Sequence, residues 1–105
     1  MHRISIPPPV NLGPELGNET VTFSQFAETR LTRDQKAGKD MTTLFLAKET
    51  LDIIKAAEGL DYVSIPELNY NLLSDLVKSP SAPYNPQVAI ALIPFMRAIV
   101  NAQPE

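Results

Sequence analysis

The chain has no cysteine and no tryptophan, one histidine and only four glycines among its 105 residues. Without cysteine there is no disulfide framework, no thiolate metal site and no sulfur nucleophile. The single histidine, His2, sits beside the first residue and reads as a bystander on a mobile terminus, so a Ser-His-Asp hydrolase has no base to work with. Gly13 and Gly17 lie in a proline context with no Lys-Ser/Thr after them, which excludes a phosphate-cradling loop. No Asp-x-Asp-x-Asp-Gly or His-Glu-x-x-His pattern occurs. The carboxylate pairs Glu49/Asp52 and Glu58/Asp61 read as solvated faces and helix-end charges. The expectation is a non-enzyme: no catalytic residues, no metal, no cofactor and no small-molecule substrate.

Positive charge is also in short supply. Nine Lys and Arg face twelve Asp and Glu, for a net charge of −3, which opposes non-specific attraction to nucleic acid phosphates. The longest apolar run, Val88 to Val100, is interrupted by Pro94 and Arg97 and falls short of the ~20 residues that cross a bilayer. No membrane partner is expected. The opening residues hold no apolar segment of the kind that directs secretion, so the expected location is cytoplasmic.

What the chain does have is proline, ten in all, and globular proportions of 44% hydrophobic and 20% charged residues. Pro7, Pro8, Pro9 and Pro14 crowd the start, and residues 1–20 read as a proline-rich extended arm or a short hairpin in which Thr20–Phe23 returns on Ile4–Ile6. Residues 21–105 read as a helical domain. Thr22 with Gln25 makes a capping box, Val21 with Phe26 a hydrophobic staple, and Phe23, Phe26, Ala27 and Leu31 an apolar face. This first helix is expected to end between Leu31 and Lys36. Asp40 caps a second helix that runs to Glu58 with Gly59 as its stop; Leu44, Ala47, Leu51 and Ile54 form its stripe, and Lys48 with Asp52 marks its solvated side.

Ser64 and Glu67 repeat the capping grammar for a third helix, with Val63 and Leu68 as its staple and Leu68, Leu72, Leu73, Leu76 and Val77 on its buried face. Ser79-Pro80 ends it, and Asn85-Pro86 opens a fourth helix that is apolar all round and broken or kinked at Pro94. The expected fold is mostly α: a small four-helix domain with the apolar C-terminal helix at its centre.

A helix apolar on every side needs to be wrapped, and a chain this short has little with which to wrap it. Phe45, Leu46, Ile53, Phe95 and Met96 are therefore candidate interface anchors, with Tyr84 presented by its proline-rich loop. Arg30, Arg33, Lys36 and Lys39 recur every third residue, a candidate contact for an acidic partner. The expected partner is a protein or a second copy of the chain.

With these residues in view, the chain resembles small proteins encoded among the structural and morphogenesis genes of tailed bacteriophages. The resembling segments are Ile4-Ser5-Ile6-Pro7-Pro8, Phe23-x-x-Phe26-x-x-x-Arg30-Leu31-Thr32, and Pro83-Tyr84-Asn85-Pro86 through Leu92-Ile93-Pro94-Phe95-Met96-Arg97-Ala98. The resemblance implies a tail assembly chaperone or an accessory virion protein, acting in the host cytoplasm or within the virion. The alternative is a small regulatory module, either a phage-encoded inhibitor of a host protein or a nucleic-acid-associated regulator. No family residue roles carry over to this chain.

Overall fold

The alternation of Ile4 and Ile6 with polar neighbours places one side of the N-terminal segment in the core, and that segment is the middle of a sheet. The computed structural model describes residues 1–33, 39–78 and 86–104. In chain order its elements are β1 (His2–Ser5), β2 (Val10–Asn11), a 3₁₀ turn (Pro14–Leu16), β3 (Thr20–Val21), α1 (Phe23–Arg33), α2 (Met41–Ala56), β4 (Tyr62–Ile65), α3 (Glu67–Lys78), α4 (Pro86–Ala91), α5 (Ile93–Val100) and β5 (Gln103–Pro104). One sheet has the order β4-β1-β5, both pairings antiparallel; β2 and β3 form a separate two-stranded ribbon. This is a mixed α/β fold, not the mostly α four-helix domain that the helical periodicities suggest.

The sheet accounts for the correction. Ile4 lies opposite Val63 and His2 opposite Ile65, and Ile4, Val63 and Ile65 are all buried, so one face of the sheet is core. The Ile6 N–H extends the ladder by donating to the Asp61 carbonyl at 2.9 Å. His2–Ser5 is thus the central strand rather than part of an extended arm, and Thr20–Val21 pairs with Val10–Asn11 instead of returning to Ile4–Ile6. His2 is held as well. Its ring stacks on Tyr70 at 3.9 Å, while the Tyr70 hydroxyl donates to the Ile99 carbonyl at 2.7 Å. That chain of contacts ties β1, α3 and α5 together.

The first helix follows its expected grammar. The Gln25 N–H donates to Thr22 Oγ1, and the Thr22 N–H donates to Gln25 Oε1. Ser64, the expected cap of the third helix, lies in β4 opposite Arg3. Helix α3 begins behind Pro66, whose carbonyl accepts from the Tyr70 N–H. Leu68 is 69% exposed, so it leaves the buried face assigned to it. Between α2 and α3, the buried Asn69 donates from Nδ2 to Thr50 Oγ1 at 3.0 Å, and the Thr50 hydroxyl donates to the Leu46 carbonyl at 2.7 Å. Both polar groups are satisfied within the helix contact.

The C-terminal apolar run is split rather than wrapped. Pro94 occupies the first turn of α5, where its missing N–H costs nothing, and the chain bends between Ala91 and Ile93. Helix α4 buries none of its residues. Leu92, Phe95 and Ile99 enter the core, while Ile90 and Val100 remain exposed. The expectation of a central fourth helix is therefore replaced by two short helices packed by one side. The Tyr84 loop, Lys36, the Ser79-Pro80 stop and the Asn85 cap lie outside the described residues.

A candidate interaction surface on α2

Helix α2 starts from a side-chain cap. Asp40 is in extended backbone, and the Thr43 N–H donates to its Oδ1 at 2.8 Å. That N–H, joined by the Thr43 hydroxyl and the charge of Lys39, holds the Asp40 carboxyl below its ordinary value. A carboxyl with a lowered folded-state pKa stabilises the fold above its unfolded value, and this contribution is lost as pH falls through the folded one. Thermal melts by circular dichroism on acidification should therefore show a smaller loss for Asp40→Asn than for the parent chain.

From that start the helix divides cleanly. Ala47, Thr50, Leu51 and Ile54 are buried, and they share the side that meets α1 and α3. The other side carries Met41 and Phe45, exposed by 70% and 65%, and Leu44, exposed by 54%, stands at the edge between the two sides. Spacings of three and four make these side chains neighbours on one surface. Single exposed apolar residues are ordinary, whereas three large ones side by side form an apolar patch. One turn on, the same side becomes charged: Lys48 Nζ donates to both oxygens of Asp52 at 2.7 and 2.8 Å.

The structure separates the expected anchors. Phe45 is exposed, Leu46 and Ile53 are half-buried at the flanks of α2, and Met96 is partly buried against the core. Phe95 is fully buried, 5.6 Å from Phe26 and 5.8 Å from Phe23 between ring centres; it is a core residue, not an anchor. Leu44, expected in the buried stripe, belongs to the exposed face along with Met41, which the sequence reading did not single out. For Met41 the available signal was angular, since it lies across the helix from Ile54; Leu44 stands on the row of Ala47 and Leu51, and spacing alone does not set it apart from them. Of the basic residues at every third position, Arg30 is 1% exposed whereas Arg33 and Lys39 are exposed.

Other concavities have less to offer chemistry. A cleft of about 450 Å³ lies between Pro7–Pro9, the start of α1 and the turn after α2, with Glu58 and Asp61 as its ionisable lining. A second, of about 320 Å³, lies beside α5 and is lined by Arg3, Arg97, Asn101 and Gln103; the Arg3 guanidinium sits 3.9 Å over the Tyr62 ring. Among the described residues no three His, Cys, Asp or Glu side chains gather as a metal site, and no helix is long and apolar enough to cross a membrane. No family model, curated protein or solved structure matches the chain.

Proposed function

We propose that this chain is a non-enzymatic assembly protein that packs against a neighbouring subunit through the outer face of α2. The observation that carries the reading is the patch of Met41, Leu44 and Phe45, held exposed on a helix whose other side is fixed in the core. Methionine and phenylalanine suit such a surface, the one adaptable and the other supplying large contact area. The resemblance to phage morphogenesis proteins supplies the setting: tail or virion assembly, in the host cytoplasm or within the particle. With Arg30 in the core, the regulatory alternative rests on Arg33 and Lys39 among the described residues.

The test is the molar mass of the purified chain by light scattering across concentrations, with Phe45→Ser beside it. The parent chain should exceed one chain's mass, and Phe45→Ser should return to a monomer with unchanged helical circular dichroism. A parent chain that stays monomeric, or association that Phe45→Ser leaves intact, removes the reading.

A further inference from the structure

We infer that the surface covering α2 is a second copy of this chain, laid antiparallel across a two-fold axis beside Leu44. The inference rests on the reading of α2 as a docking face and names its occupant. The charges flanking the apolar patch carry it. Lys39 and Asp40 lie five and four positions before Leu44, and Lys48 and Glu49 lie four and five positions after it. All four residues are exposed.

A two-fold contact is reciprocal: if residue i meets j, then j meets i. With two α2 helices antiparallel and Leu44 facing its own copy, Asp40 comes level with Lys48 and Lys39 with Glu49, each pairing occurring twice. All of these pairings are between opposite charges. Parallel helices in register would set like on like at every one of them. A slip of one residue, bringing Leu44 level with Phe45, would set Asp40 against Glu49. The sequence around the patch therefore favours one orientation and one register over their nearest competitors, which is how charged rims specify partners.

The local bonds leave these groups available. Asp40 uses Oδ1 for the Thr43 N–H, so Oδ2 can face a lysine. Lys48 gives two of its three donors to Asp52 along the exposed side, and the third is left for a carboxylate. Glu49 has a long contact of 3.4 Å from Asn69 Nδ2. Met41, Leu44 and Phe45 of both copies fill the centre, giving the apolar middle and charged rim of a small helix–helix interface.

A charge-swap series tests this. Lys39→Glu and Glu49→Lys are each made alone and together, and all three variants are compared with the parent and Phe45→Ser by light scattering over a concentration series. The parent should be a dimer. Each single swap turns two attractive pairings repulsive and should weaken the dimer by about tenfold; the double swap restores opposite charges and should recover the parent's affinity. If Phe45→Ser abolishes association while the single swaps do nothing, or the double swap fails to recover, the antiparallel two-fold is overturned and α2 remains the docking face. A parent mass other than two chains also overturns it, and if Phe45→Ser changes nothing, the docking face itself falls with it.

Discussion

Removing His2–Ile6 should leave a chain without a cooperative melt, although residues 1–20 read as an extended arm or a short hairpin. The expectation comes from their position in the sheet. β1 is bonded on one side to β4 and on the other to β5, so its loss orphans both neighbours together. β5 is a two-residue strand whose pairing is to β1. Ile4 is fully buried, and His2 stacks on the Tyr70 that anchors α5. Burying one large aliphatic side chain is worth about 1.5–3 kcal/mol, and the whole stability of a domain of this size is about 5–15 kcal/mol. Adding the ladder and the stacked ring, the deletion should remove most of that margin. Thermal and urea melts of the truncated chain, followed by circular dichroism, make the measurement. A sharp transition close to that of the full chain would show β1 to be dispensable.

The second large effect is a contrast between two phenylalanines. Phe95→Ala should lower stability by about 3–5 kcal/mol, the cost of emptying a buried aromatic site, because the ring is fully enclosed against Phe23 and Phe26. Phe45→Ala, on a side chain that is 65% exposed, should fall within about 0.5 kcal/mol of the parent, as surface substitutions generally do. Urea denaturation of both variants at a concentration where the chain is monomeric decides the matter. Equal losses would mean that α5 is not seated as described; a large loss at Phe45 alone would mean that the outer face of α2 is part of the core.

These two residues also mark how far the sequence can be read. Both lie in apolar helical segments, and periodicity places each on a face without saying what the face meets. The angle around α2 is enough to set Phe45 opposite Ala47 and Ile54, but in Val88–Val100 nearly every position is apolar and no face stands out. Signals contained within a few residues were legible: the Thr22–Gln25 box, the Asp40 cap, the Lys48–Asp52 pair, Pro86 as a first helical residue and the break before Pro94. What failed depended on distant partners. Ser64-x-x-Glu67 has the same local form as Thr22-x-x-Gln25, yet Ser64 is also a strand residue because Arg3 stands opposite it, and that pairing is invisible from Ser64's own neighbours. Capping is decided by neighbours in the chain, whereas a strand is decided by whatever arrives beside it. Leu68 has a different cause: the buried side of α3 centres on Asn69, Leu73 and Leu76, and Leu68 lies across the helix from Leu73.

The central position of β1 sets the order in which the molecule can be made. Each helix can begin from signals within its own turn, but His2 must find Ile65 and then Pro104, closing loops that span much of the chain. Closure over such separations carries an entropic penalty before any contact offsets it, and it slows folding. The expected order is helices first and the three-stranded sheet last, with its final strand drawn from the far end of the sequence. Until that closure the core beneath Ile4 stays open, so the sheet is the latch that turns a collection of capped helices into one fold.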